Sequence, residues 1–398
     1  MKYFFVLGSN PALSVAELAS VFGLAEKRET AAGAGVCCGG KVFLLETDAK
    51  IDAAALIKNL GGTVKIGVIH EESGISTREL LSVITPRLEP GEGKFNFGLS
   101  FYGSRKMYLK PLGMEIKKYL RERGIVCRWV VSRETTLSSV VVEQNKLTAG
   151  GAEIVLLQNG DKILVGFTLA VQPFKELSFR DYGRPARDDR SGMLPPKLAQ
   201  IMINLARAPK DGVILDPFCG SGTILTEAAL LGYKNMIGAD ISVKAVEDTK
   251  KNMDWIKEKF KIPEYGLRVF HKNAAELSQA IESGSVNAII TEPYLGPQRG
   301  PVDIEITKKE LTELYARALS EFKKILAPNG RIVMIWPVFH ATRNSQFITP
   351  DMKGFKILNP IPESSRANAA VEPTARDTII YGRPGQKVWR EIVILEAV

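Results

Sequence analysis

From Lys197 to Trp336 apolar strand signals and amphipathic helix signals alternate without a break, and no other feature restricts the fold so tightly. Strand signals fall at GVILDPF, NMIGADIS, LRVFHKN, VNAIITEPY and RIVMIWP. Helical signals fall between them at TILTEAALL, AVEDTKKNM, AELSQAI and KELTELYARALSEFKKIL, with KLAQIMINLA in front. Strands joined through helices run parallel under helices on both faces, and such sheets bind ligands at the carboxyl ends of their strands. DTIIYG and KVWREIVILEA, joined by a short RPGQ turn, read as a terminal antiparallel hairpin on the same sheet. The expected fold class is therefore α/β, with a seven-stranded Rossmann-like sheet over residues 194–398.

The front of the chain has a different rhythm. Residues 1–70 read as βαββαβ, a ferredoxin-like unit: KYFFVLG, a helix from Val15 to Phe22, GVCCG, KVFLLE, a helix from Ala53 to Leu60, and TVKIGVI. Residues 71–173 form a second mixed unit. Its helices lie near Arg78–Leu88 and Pro111–Arg123, and its strands at FNFGLSFYG, CRWVV, SSVVV, EIVLLQ and KILVGFTLAV. Asn159-Gly160 between the last two predicts a type I′ hairpin, in which both central residues need φ > 0. FKELSFRDYGRPARDDRSG, rich in charge, Pro and Gly, reads as a linker over residues 174–193.

Charge bears on the partner. The 398 residues carry 53 Lys and Arg against 44 Asp and Glu, for a net charge of +9, which favours a polyanion. Ten basic residues and only two acidic ones stand between Lys94 and Arg133, interleaved with Tyr102, Tyr108, Tyr119 and Trp129. Arg105, Lys106, Lys110, Lys117, Lys118 and Arg121 are RNA-binding candidates there, with Arg180 and Arg184 in the linker; the competing reading of the run is a plain solvated helix face. Cys37, Cys38, Cys127 and Cys219 have no paired metal-ligand spacing, and His70, His271 and His340 are scattered, so no metal site is expected. No stretch has the length of a membrane span, and the reading is a reduced, cytoplasmic protein without a membrane partner.

Asp216-Pro217-Phe218-Cys219-Gly220-Ser221-Gly222-Thr223 follows an apolar strand and opens a helix. Gly220 and Gly222 allow a tight turn and close approach of backbone to ligand. Asp240 ends the next strand, where a carboxylate can accept from both hydroxyls of a ribose. A dinucleotide turn requires a further glycine where Leu225 stands, and no GxxxxGK[ST] occurs, so NAD, FAD and ATP hydrolysis are disfavoured.

DPFCGSGT resembles the first motif of class I S-adenosylmethionine-dependent methyltransferases, especially those acting on RNA bases. The resemblance implies that Asp216 lies near the methionine end of the cofactor and that Phe218, Gly220, Gly222 and Thr223 form the turn against it. It further implies that Asp240 and Ile241 lie at the ribose and Asn273-Ala274 at the adenine. Thr291-Glu292-Pro293-Tyr294 resembles the [DNS]PP[YFW] motif of enzymes that methylate exocyclic amines. Such an amine lends its lone pair to the ring, so acceptors must orient its N–H bonds while an aromatic stacks on the base. Here Thr291 occupies the acidic or amide position and Glu292 replaces the first proline, so Glu292 is expected to act as acceptor or proton sink, or else catalysis is weakened.

YFFVLGSNPALSVAEL, GMLPPKLAQIMINLA and DPFCGSGTILTEAALLGY together resemble the THUMP-domain tRNA methyltransferases of archaea and eukaryotes that form N2-methylguanosine at tRNA position 10. That implies a THUMP-like RNA-binding domain at 71–173, tRNA as partner, S-adenosylmethionine as cofactor and a monomer, with a helper subunit left open. Two alternatives stand beside it: a DNA or ribosomal-RNA amino-methyltransferase, and a non-catalytic RNA-binding protein that keeps the methylase fold.

Overall fold

The computed structural model describes residues 1–24, 34–187, 193–297, 303–340, 345–382 and 385–398, without the side chain of His340. They fold into two compact units. The first comprises Met1–Val15, Lys27–Phe174 and Glu363–Val371, the second Ala16–Glu26, Lys175–Pro362 and Glu372–Val398.

The first unit is built on one eight-stranded sheet. In chain order its elements are β1 (Lys2–Leu7), α1 (Pro11–Phe22, divided between the units), β2 (Gly35–Cys37), β3 (Val42–Glu46), α2 (Ala53–Leu56), β4 (Thr63–Ser73), α3 (Thr77–Ile84), β5 (Phe95–Tyr102), α4 (Leu109–Glu122), β6 (Cys127–Val130), α5 (Ser139–Gln144), β7 (Ala152–Asn159) and β8 (Lys162–Val171). The strand order is β2-β3-β1-β4-β8-β7-β5-β6. Side chains alternate across the strands, so Phe97, Leu99, Ile154 and Leu156 pack on one face with Leu80, Ile84, Leu112, Ile116 and Leu120 of α3 and α4. Tyr102, Val155 and Leu157 go to the opposite face with Phe4, Val6 and Val42. Between the strands Glu153 is fully buried and accepts from Lys65 Nζ (2.5 Å), Ser100 Oγ (2.6 Å) and Thr168 Oγ1 (2.7 Å), which satisfies a charge that would otherwise be costly.

Three expectations for this half are corrected. A domain break at residue 70 is absent: β4 runs through it, pairing β1 on one edge and β8 on the other. SSVVV is no strand but the N-cap and first turns of α5, where the Ser138 side chain accepts from the Val141 amide and Val142 is buried; capping and packing outweigh the β preference of valine. The hairpin loop is Gly160-Asp161, one residue later than expected, because Asn159 pairs with Lys162. Gly160 alone of the two has positive φ (60°), which excludes type I′.

The second unit runs α6 (Phe174–Tyr182), α7 (Pro196–Ala206), β9 (Val213–Asp216), α8 (Thr223–Leu230), β10 (Asn235–Asp240), α9 (Val243–Phe260), β11 (Gly266–His271), β12 (Val286–Thr291), α10 (Ile304–Ile325), β13 (Leu326–His340), β14 (Ser345–Phe347), β15 (Phe355–Ile357), β16 (Ile379–Tyr381) and β17 (Val388–Ala397). Its strand order is β11-β10-β9-β12-β13-β17-β15, with β14 on β13 and β16 on β17: nine strands among the described residues where seven were expected, the unexpected two being the three-residue β14 and β15. β9 to β13 are parallel and β17 is antiparallel to β13, while β16 and β17 form the expected terminal hairpin. AELSQAI is 3-10 helical with a kink at Glu276 rather than a regular helix. The expected linker is α6 over its first nine residues; residues 188–192 lie outside those described. Among the described residues no helix is long and apolar enough to cross a membrane.

Candidate cofactor and catalytic site

The ends of β9, β10 and β12 gather the candidate residues at one edge of the second sheet. Asp216 is the last residue of β9, Asp240 of β10 and Thr291 of β12. After β9 the chain turns through Gly220 (φ 51°) and Gly222 (φ 82°), left-handed values that favour glycine, and Gly222 becomes the N-cap of α8. A Cβ on Gly222 would lie 3.0 Å from Thr249, whereas one on Gly220 would meet nothing within 4 Å, so that glycine borders open space. The turn is held from α9: Thr249 Oγ1 donates to the Gly220 carbonyl (2.8 Å) and Asn252 Nδ2 to the Ser221 carbonyl (2.8 Å). The Asp240 carboxylate ties the two strand ends together by accepting from the amides of Gly220 and Ser242, each at 2.9 Å.

Ile241, next in the chain, is 70% exposed, an apolar side chain left open beside that carboxylate. After β11, Asn273 caps the amide of Ala275 (3.0 Å) and Ala274 is buried. Phe218 is half-buried with its amide on Asp216 Oδ1 (3.2 Å), and Thr223 accepts from Arg184 Nη1 (2.6 Å). Cys219 is buried under the turn, where Thr249 Oγ1 meets its sulfur at 3.5 Å; desolvation pushes the thiol well above its usual range, and it packs rather than reacts.

The TEPY residues take up unequal positions. Thr291 is fully buried and donates its hydroxyl to Asp216 Oδ1 at 2.8 Å. Its proton is already committed, and the side chain expected at the acceptor position sits beneath the surface. Asp216 is pushed up to about 7, chiefly by burial and further by the charges of Asp240 and Glu292, against the hydrogen bonds from Thr291 and Phe218. Glu292 Oε1 accepts from Arg390 Nε at 2.5 Å, with both side chains largely shielded from water. Pro293 is buried, while Tyr294 is 56% exposed and its carbonyl accepts from Tyr315 Oη (2.8 Å).

Of the RNA-binding candidates, Lys110, Lys117, Lys118 and Arg121 occupy the outer stripe of α4 with Met114, opposite buried Leu112, Ile116 and Leu120. Lys106 is exposed, and exposed Arg105 pairs with Asp161 at 2.5 Å. Trp129 is half-buried and its ring packs against Gly113. Arg180 and Arg184 are corrected: they are 5% and 6% exposed. Arg180 grips Glu227 with Nε (2.8 Å) and Nη2 (3.2 Å), and Arg184 holds Thr223, so both brace α8 and leave no guanidinium for a phosphate. Sequence reasoning missed Arg390, Thr249 and Asn252. Only the spacing of Thr249 and Asn252 on one face of α9 hinted at a shared contact.

Residues 184–345 match the family model described as UPF0020: RMKL-like, methyltransferase domain. A tRNA (guanine(10)-N2)-dimethyltransferase of Pyrococcus abyssi is 31% identical over 208 residues, covering 52% of this chain and 56% of the relative. One from Methanothermobacter thermautotrophicus is 33% identical over 146 residues, covering 37% and 39%. The matched stretch thus spans about half the length of the curated relatives or less. TrmN from Thermus thermophilus superposes with a TM-score of 0.55 at 17% identity over 100% of both chains, which establishes a shared fold. By family model, then, residues 184–345 are similar to the UPF0020 methyltransferase domain, and the chain shares the fold of TrmN.

Proposed function

We propose that the chain transfers a methyl group from S-adenosylmethionine to the exocyclic N2 amine of a guanosine in tRNA. One observation carries the reading: a single sheet edge brings together Asp216, the Gly220 to Gly222 turn, Asp240 and the Thr291 to Tyr294 motif. The names of the archaeal relatives support guanosine N2 and tRNA as the target.

The residues present suit the cofactor. Gly220 faces open space where backbone can approach a ligand, and Asp240 has a carboxylate at the end of β10 for ribose hydroxyls. Ile241 leaves an apolar surface beside it, and Ala274 and Asn273 would border the adenine, with Asp216 toward the methionine end. When bound, the cofactor supplies a methyl group activated on a sulfonium. Tyr294, open to solvent, would stack on the extruded base; the Glu292 carboxylate and the Pro293 carbonyl would accept the two amine hydrogens. Held by those acceptors, the amine would present its nitrogen to that methyl group and release one of its protons to water.

Presentation of tRNA falls to the first unit, read as THUMP-like, with the α4 stripe meeting phosphates. The reading also takes the chain as a cytoplasmic monomer; its four cysteines are free, as a reducing compartment keeps them. The burial of Thr291 favours a second reading, a non-catalytic RNA-binding protein. Incubating the protein with labelled cofactor and tRNA, ribosomal RNA or duplex DNA, followed by nucleoside mass spectrometry, separates these. N2-methylguanosine in tRNA is the expected product; label in another base or nucleic acid moves the substrate, and cofactor binding without transfer selects the non-catalytic reading.

A further inference from the structure

We infer that Arg390, on the terminal strand and 98 residues beyond its partner, is a positioning residue that holds the Glu292 carboxylate in place as a hydrogen-bond acceptor for the substrate amine. The inference rests on the methyltransferase reading and assigns how its irregular motif works.

Strand register explains how so distant a residue reaches the motif. Thr291, the last residue of β12, pairs with Met334 of β13, and Met334 pairs with Val393 of β17. Because β17 runs antiparallel, Arg390 lies three residues further toward the carboxyl edge, opposite Pro337 on one side and Tyr381 on the other. From there its side chain reaches Glu292, the residue that follows β12. The next residue, Glu391, serves a separate purpose: it is fully buried, accepts from Thr378 Oγ1 (2.7 Å) and pairs with Arg376 (3.4 Å).

The chemistry then follows. Glu292 and Arg390 side chains are 13% and 14% exposed. An N–H bond calls for an acceptor oxygen held in one orientation, which a glutamate side chain free to rotate does not provide. The guanidinium fixes that orientation by bonding Oε1. Oε2 has no hydrogen-bond partner among the described residues, so one oxygen is anchored and one remains to accept. A glutamate in place of the first motif proline thus acts together with an arginine that clamps it.

The test uses the full chain with tRNA and labelled cofactor, and compares Arg390→Ala, Arg390→Lys, Glu292→Gln and the double variant Glu292→Gln with Arg390→Ala. Removing an outer partner of a working group lowers function about 10- to 100-fold. The expected result is a kcat loss of that size in Arg390→Ala, with tRNA KM, cofactor Kd and melting temperature near wild type and partial recovery in Arg390→Lys. In the double variant the losses should not multiply, because both act through one acceptor. Unchanged kcat in Arg390→Ala overturns the role, as do multiplying losses or a matching fall in cofactor affinity and melting temperature. A wild-type chain that binds the cofactor yet methylates no nucleic acid overturns the methyltransferase reading, and the role with it.

Discussion

Thr291 and Asp216 end two neighbouring parallel strands, and the hydroxyl of the first donates to Oδ1 of the second at 2.8 Å. The bond joins the TEPY motif to the glycine turn inside the sheet edge.

The Asp216 carboxyl gives the fold a pH signature. Burial raises it to about 7 from an unfolded value of 3.8. Between those values the folded chain keeps a proton that the unfolded chain has released. Its contribution to stability is therefore present below pH 4 and is lost as pH rises through 7, at up to about 1.4 kcal/mol per pH unit. Asp216→Asn removes the effect. Denaturant titrations without cofactor at pH 5, 6, 7 and 8 should show the variant gaining on wild type up to about pH 7 and level thereafter; a constant difference refutes the assignment.

The Arg180–Glu227 pair is nearly inaccessible on both sides, 6% and 1%. Breaking one member strands a buried charge, so Arg180→Ala or Glu227→Gln should destabilise by about 3–5 kcal/mol, and Arg180→Met with Glu227→Leu should restore most of that. Urea unfolding of the three variants decides it, the double variant being the informative one.

Gly222→Ala combines a left-handed φ of 82° with a Cβ 3.0 Å from Thr249, whereas Gly220→Ala meets strain without a clash. Cofactor affinity by calorimetry should fall more than about tenfold in the first variant and less in the second, since αL strain alone is worth about 1–2 kcal/mol. The reverse order would show that the turn is not shaped against α9.

Tyr294→Ala should lower kcat/KM for tRNA about 5- to 150-fold, the equivalent of about 1–3 kcal/mol of stacking, while Tyr294→Phe stays near wild type. Cofactor Kd should not change in either.

The α4 stripe predicts salt dependence. Replacing Lys110, Lys117, Lys118 and Arg121 together by alanine should reduce the slope of log K against log salt for tRNA by about 4, near one per phosphate contact. An unchanged slope would return these residues to an ordinary solvated face.

Much of the second unit was legible because parallel strands buried on both faces are short apolar runs, and the glycine turn must follow one of them. The Arg180 segment was not. Its charges read as solvent-facing because their partner, Glu227, lies 47 residues away and nothing local announces it. Arg390 was hidden for the same reason at twice the distance. SSVVV misled because valine favours strands, while Ser138 settled the matter by capping. Residue 70 looked like a boundary because the apolar run stops there, yet β4 continues through polar Glu71 and Glu72 by pairing with β8.

That continuity sets a timetable for synthesis. β4 sits in the middle of its sheet, but Lys65 waits for Val171, roughly a hundred residues later. At about 5–20 residues per second the nascent strand stays half-paired for about 5–20 s, with a row of bare amides and carbonyls that another emerging chain could join. The counter-charge of buried Lys65, Glu153 of β7, likewise lies 88 residues further along the chain, so the ion pair and the second edge of β4 are completed late together.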